Sequence, residues 1–345
     1  MPVYNAEDYL AEACDCILNQ THEDIELICV DDGSTDTSLK ILNDIADNDS
    51  RVCVFHQENR GGGAARNFAL QKVTGKYLYF MDADDRLDLN AFSELIEKME
   101  QDSLDFIIFS AVNLATDTGK LFKTPYYSMS KLKRFGENRV FGFDDLGDII
   151  FDISVTPWCK FYDCEFVLKS GARFLENSIF HDNQFFWEVL FNAKRMSFTD
   201  GYYYTRRRHS QSSTGAGDER YINIINVVNN IIKLFAKYNQ LDKFKHILYN
   251  KKVLWIHTRY DQIRDEFKEM FFDAMKDDFT NLDDADFEGF LDEKNRFIFN
   301  SAVSAKTMNE FDLLIENYKL TKKNSELKRR KKIPNFIKYR LKRLF

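Results

Sequence analysis

The sequence predicts an α/β fold, a mostly parallel sheet with flanking helices, followed by a helical carboxyl-terminal region. Short apolar runs of strand length alternate with segments of helical periodicity through the first 110 residues. Two acidic clusters, Asp31-Asp32-Gly33-Ser34-Thr35-Asp36 and Asp82-Ala83-Asp84-Asp85, each close an apolar strand. In open α/β sheets that carboxyl edge is where ligands bind. No Pro interrupts residues 158–333, where long helical patterns dominate.

From Asn5 to Asn19 the residues Leu10, Ala13, Cys14, Ile17 and Leu18 mark one helix face, and Ile25 to Asp31 reads as a buried strand. A helix with the stripe Leu39, Leu42, Ile45 and Ala46 follows, then a strand from Val52 to Phe55. Helix Gly62 to Val73, strand Lys76 to Met81, helix Asp88 to Gln101 and strand Leu104 to Ser110 continue the alternation. Both acidic clusters are expected at the edge of one sheet. Residues 111–155 are less regular and read as an excursion that closes over a site. Helix Asn183 to Ala193 and the aromatic strand Tyr202 to Tyr204 come next, before the small polar stretch Ser212 to Asp218 suggests a boundary. The expected division is a first domain over 1–215, a helical region over 216–320 and a basic amphipathic tail over 321–345.

Hydrophobic residues make up 44% of the 345, enough for a real core, and only 14 Gly and 4 Pro argue against long disordered linkers. No apolar run approaches the ~20 residues that cross a bilayer, and no basic-then-apolar pattern of a secretory signal opens the chain. Six cysteines without C-x-x-C spacing fit a reduced, cytoplasmic protein. Cys14 and Cys16 diverge on their helix and read as small core residues rather than a zinc site.

Three carboxylates within four residues repel one another unless a cation, a donor or water offsets them. Asp82, Asp84 and Asp85 therefore read either as a solvated turn or as oxygen ligands for Mg²⁺ or Mn²⁺ holding a diphosphate. Gly61-Gly62-Gly63-Ala64-Ala65-Arg66-Asn67 lacks the spacing of a dinucleotide or phosphate loop. Close packing of a helix is its better reading, with Arg66 and Asn67 as donors to backbone or ligand. His181-Asp182 precedes a helix, so Asp182 reads first as a cap and second as a general base, since a carboxylate there stays ionised. Arg206-Arg207-Arg208-His209 reads as a solvated turn or a diphosphate clamp, and Trp158 with Lys160 and Tyr162 as core or as a sugar platform.

Taken in order, these motifs resemble family 2 glycosyltransferases, inverting enzymes of the GT-A (Rossmann-like) fold. The series is Pro2-Val3-Tyr4-Asn5, Asn19-Gln20-Thr21, Asp31 to Asp36, Gly61 to Asn67, Asp82 to Asp85, Trp158-x-Lys160-x-Tyr162, His181-Asp182 and Arg207-x-His209-x-x-Ser212, and it covers residues 1–215. The resemblance implies that Tyr4 and Asp32 contact a nucleotide base supported by Asp31. It implies that Asp82 holds ribose, and that Asp84 and Asp85 hold a divalent metal with the diphosphate. Asp182 would be the catalytic base, Arg207 and His209 would close over the diphosphate, and Trp158 and His181 would lie on the acceptor side. The implied reaction moves a sugar from a nucleotide-sugar, UDP-linked by expectation, to a hydroxyl of a surface glycan or lipid-linked saccharide. An inactive nucleotide-sugar-binding or assembly subunit of the same fold is the alternative.

Two features depart from that pattern. Relatives carry an apolar strand before Pro-Val-Tyr-Asn, whereas this sequence starts at Met1, so the first strand is expected to be missing. Relatives often have Glu before the base, where His181 stands.

Residues 321–345 carry eleven Lys or Arg against one Glu, which leaves a net −17 on residues 1–320 of a chain whose total is −7. Pro334 can open a short helix on which Ile337, Leu341, Leu344 and Phe345 share a face. This reads as an interfacial anchor on an anionic membrane at the inner face of the cell, or as a disordered basic tail. Nucleic acid is not expected as a partner of so acidic a body.

Overall fold

The computed structural model describes residues 1–208, 215 and 217–332. His209, Ser212 and the segment 333–345 lie outside the described residues. The described residues divide into two compact units, 1–215 with Asn226–Phe244, and Gly217–Ile225 with 245–332.

In the first unit, strands β1 (Pro2–Val3), β2 (Leu27–Asp32) and β3 (Val52–Gln57) form a parallel sheet in the order β1-β2-β3. All six residues of β2 are buried, as expected of a strand covered on both faces. Helices α1 (Leu10–Leu18), α2 (Ser38–Ala46) and α3 (Gly62–Ala69) supply the crossovers. Within β1 Val3 pairs with Asp31, and the Met1 amino group donates to Ile28 O at 2.8 Å.

The second acidic cluster belongs to a different sheet, contrary to the single sheet expected. Strands β4 (Tyr77–Tyr79), β5 (Arg86–Leu87), β6 (Phe106–Ala115), β7 (Lys120–Phe122), β8 (Lys160–Asp163) and β9 (Met196–Arg208) build it in the order β4-β8-β6-β9-β5, with β7 on β6. Only β6 and β9 pair in parallel there. The reason lies in strand β8, which enters antiparallel between β4 and β6 and packs Phe161 against Tyr77, Tyr79 and Phe92. Helix α4 (Ala91–Asp102) covers this sheet through Phe92, Leu95 and Met99. The irregular stretch 111–155 contains the end of β6, β7 and the short helices α5 (Pro125–Ser128), α6 (Ser130–Gly136) and α7 (Phe143–Leu146).

Helices α8 (Cys164–Ser170) and α9 (Asp182–Asn192) complete the run before β9. Helix α10 (Asn223–Lys237) and the start of α11 (Leu241–Gln262) return to the first unit, beyond the boundary expected near residue 215. Aromatic packing accounts for the return: Phe235 stacks on Phe151 and meets Trp187 and Phe191 edge-on. In the second unit α12 (Asp265–Thr280), α13 (Glu293–Ser304) and α14 (Met308–Lys332) bury Phe271, Met275, Ile298 and Phe311. No helix among the described residues is long and apolar enough to cross a membrane.

One glycine fixes the approach of α3 to the segment that precedes α9. A Cβ on Gly63 would sit 2.4 Å from Leu175 O and 2.9 Å from His181 Cβ. Gly63→Ala is therefore expected to destabilise by about 1–3 kcal/mol, read as a lower urea midpoint at unchanged slope. An unchanged midpoint would mean that the two segments do not approach so closely.

Candidate active site

The turn after β4 gathers three carboxylates. Asp82, Asp84 and Asp85 each present an oxygen, all within 4.8 Å of one another. Asp85 is buried, and its oxygens accept from Tyr204 Oη and from the backbone N–H of Arg207, both at 2.6 Å. Burial, and then the charges of Asp84 and Asp82, push its carboxyl well above the usual range. Asp82 is raised as well, by the surrounding protein first and by Asp84, with Arg66 opposing. Its side chain keeps 31% of its surface open, so solvent weakens that shift.

Two expected site residues take other positions. Trp158 is only 3% exposed and stacks on Tyr204 at 4.3 Å, so it braces the phenol on Asp85 instead of facing an acceptor. The cause is that β9 lays Tyr204 over its ring. Arg207 continues β9 rather than entering a loop; its buried guanidinium pairs with Glu12 and lies over Tyr9, and only its main chain reaches the acidic cluster. His209 lies outside the described residues.

Arg66 ties that cluster to the residues before α9. It is buried on α3, pairing with Asp82 through one guanidinium nitrogen and with His181 Nε2 through another. His181 Nδ1 is 3.1 Å from Ser178 O, and Nε2 is 3.1 Å from Asp182 Oδ1. Asp182 is the first residue of α9, so the N-cap position falls to His181, which makes no side-chain capping bond. Burial raises the Asp182 carboxyl, but His181 in its charged form, Arg66 and Lys160 together outweigh it and the net direction is downward. The group is thus ionised at neutral pH. Lys160 is itself buried, held by Ser154 O and Thr156 O at 2.5 and 2.8 Å.

At the first cluster the two aspartates have different surroundings. Asp32 is saturated: it accepts from Gln57 Nε2 (2.7 Å), Arg60 N (2.9 Å) and Gly61 N (2.7 Å), which anchors the glycine loop at the start of α3. Gly61 has φ +85°, a conformation that favours glycine. Asp31 is buried with Oδ2 at 2.8 Å from His56 Nδ1, while Oδ1 has no hydrogen-bond partner. Tyr4 is 51% exposed, and the adjoining Asn5 accepts from Thr35 N at 2.8 Å, joining the two loops.

Sequence reasoning missed Glu12, Tyr204 and the bridging use of Arg66. Glu12 lies on an exposed helix face and gave no signal. Tyr204 stood in an aromatic strand whose partners were not known, and Arg66 followed the glycine run that brings α3 close.

Comparison with known proteins agrees with this geometry. Residues 1–152 match the model of the family described as glycosyl transferase family 2. An uncharacterized glycosyltransferase of Haemophilus influenzae is 46% identical over 105 residues, 30% of this chain and 42% of that protein. The putative glycosyltransferase EpsH of Bacillus subtilis is 30% identical over 220 residues, 61% of this chain and 60% of that protein. The chain thus spans less than two thirds of the length of either relative. The crystal structure of S. aureus TarS 1-349 in complex with UDP-GlcNAc superposes with a TM-score of 0.70 at 21% identity, covering 93% of this chain and 90% of that one. The likeness is one of fold. The parallel β1-β2-β3 sheet with its flanking helices is thus that of a GT-A fold, and residues 1–152 of the chain match glycosyl transferase family 2.

Proposed function

We propose that the protein is an inverting glycosyltransferase that moves a sugar from a UDP-sugar to a hydroxyl of a surface glycan or lipid-linked saccharide. The observation that carries this reading is an ionised carboxylate, Asp182, joined through His181 and Arg66 to the Asp82-Asp84-Asp85 cluster. TarS, of the same fold, was crystallised with UDP-GlcNAc, which supports the choice of nucleotide.

The residues divide the work as follows. The exposed ring of Tyr4 stacks on the base, and the unpaired Oδ1 of Asp31 suits an N–H donor such as the imide of uracil. Asp82 holds ribose. The all-oxygen donor set and the upward shifts of Asp82 and Asp85 fit a divalent Mn²⁺ or Mg²⁺ at Asp84 and Asp85, whose charge, when bound, offsets that of the departing diphosphate. Tyr204 and the Arg207 amide keep Asp85 oriented through the remaining lone pairs. Asp182 takes the proton of the acceptor hydroxyl as that oxygen attacks the anomeric carbon from the face opposite the nucleotide. One displacement inverts the centre, so an α-linked donor gives a β-linked product.

The test is a donor panel with Mn²⁺, reading which nucleoside diphosphate is released. UDP from a UDP-sugar is expected, and it should be lost in Asp182→Asn. Nucleotide binding without turnover on any acceptor, unchanged by that substitution, would instead support a binding or assembly subunit.

The basic end supports a peripheral place at the inner membrane face. With about 1 kcal/mol per basic residue near an anionic surface, the full chain should bind vesicles rich in phosphatidylglycerol at low salt and leave them at high salt. Sedimentation with a chain lacking 321–345 checks this, and equal binding by both would remove the tail from the account.

A further inference from the structure

The ring of His181 has two nitrogens and three polar neighbours, and counting donors assigns its state. The Ser178 carbonyl only accepts, so Nδ1, 3.1 Å away, carries a hydrogen. A guanidinium only donates, so Nε2, which faces Arg66 Nη1, presents its lone pair. The imidazole that meets both demands is neutral with its proton on Nδ1. Asp182 Oδ1, 3.1 Å from the same Nε2, then receives no hydrogen, and it is among the buried polar atoms that lack a hydrogen-bond partner. A single nitrogen stands between a donor-only and an acceptor-only group. It can serve one of them at a time.

We propose that His181 is a positioning residue for Asp182. In its neutral Nδ1–H form it takes up Arg66 through Nε2 and leaves Asp182 Oδ1 bare to receive the acceptor hydroxyl's proton. A second proton, from solvent, turns Nε2–H onto Asp182 Oδ1, occupies it and places two cations side by side. The charged groups that face the ring are Arg66 on α3, with Asp82 beyond it, and Asp182. Lys160 on β8 acts on Asp182 and is tied to the Ser154 and Thr156 carbonyls. Glu176, from the segment before α9, is turned to Arg60 and Asn67. Gly63 of α3 lets the His181 side chain come close, since a Cβ there would sit 2.9 Å from His181 Cβ.

The inference rests on Asp182 being the base, so its test has one arm without substrate. The full chain, labelled with ¹⁵N-histidine, has six histidines, and H181Q identifies the ring of interest. Two-bond ¹H–¹⁵N spectra should show the Nδ1–H tautomer at neutral pH; an Nε2–H tautomer there overturns the proposal. In the second arm, kcat of the wild type should show an acid limb. In H181Q, whose amide oxygen can accept from Arg66 but takes no proton, that acid limb should move down to the carboxylate range with the donor KM nearly unchanged. H181E, which also accepts from Arg66, serves if H181Q does not fold. An acid limb unmoved in the variant overturns the proposal, whereas the expected tautomer in a chain that transfers nothing counts against the enzymatic reading alone.

Discussion

Asp182→Asn is expected to lower the rate of sugar transfer by about 10²–10⁴-fold, the usual contribution of a positioned general base, while nucleotide affinity changes little. The substitution keeps the size of the side chain and removes its ability to take a proton. Affinity should survive because Tyr4, Asp31 and Asp82, the residues assigned to the nucleotide, lie on other segments. Steady-state kcat with any competent acceptor, set beside a calorimetric Kd for UDP, separates the two quantities. A parallel loss of both would mean that Asp182 shapes the nucleotide site. The variant should also reveal a small stability effect with a definite sign. The Asp182 carboxyl lies below its ordinary value when folded, so its stabilising contribution is present above that ordinary value, near pH 3.8, and is lost as pH falls toward the folded one. Asp182→Asn should flatten that part of the acid-unfolding curve.

Arg66→Ala is expected to have the largest effect on stability, about 3–5 kcal/mol, the range found when one partner of a buried ion pair is removed. It strips the counter-charge from Asp82 beside Asp84 and Asp85, and the donor from His181 Nε2. Lysine should rescue only in part, because a point charge cannot fork to two partners as a guanidinium does. The pH dependence runs opposite to that of Asp182. The Asp82 carboxyl is already raised in the folded state, so its ionisation destabilises, and stability falls as pH rises from the ordinary value through the folded one. Without Arg66 that fall should steepen and extend to higher pH. Urea unfolding at several pH values checks this, and a double-mutant cycle with Asp82→Asn should return a coupling of about 0.5–3 kcal/mol. Additive effects would mean that the two residues do not share a bond.

The parts of the fold written locally were legible. Apolar periodicity marked β2, α3 and α9 to within a few residues, because burial on one face is a local pattern. Division of the strands into two sheets was not legible, since it depends on β8 reaching back to β4 across more than eighty residues. The site followed the same rule. The Asp82-Asp84-Asp85 cluster was visible because its members adjoin, and Asp182 because it opens a helix. Trp158 could be read only as core or as a sugar platform, as the ring that covers it belongs to Tyr204, far along the chain. Asp31 and Asp32 have the same side chain on neighbouring residues of one strand, so only the hydrogen bonds at β3 and the glycine loop tell them apart.

Strand β9 keeps step with β6 only by slipping twice: Phe109 pairs with Thr199, Ser110 with Tyr202 and Ala111 with Tyr204. Three extra residues are absorbed there, an odd number, so the phase of inward and outward side chains reverses along the strand. Tyr203 then reaches Glu94 while Tyr204 reaches Asp85. Loss or gain of one residue between Thr199 and Tyr204 would swap those destinations and carry the Arg207 amide off Asp85 at the same stroke. Homologues should therefore hold the length of this stretch, and length polymorphism there would mark lineages in which the acidic cluster has been rebuilt or abandoned.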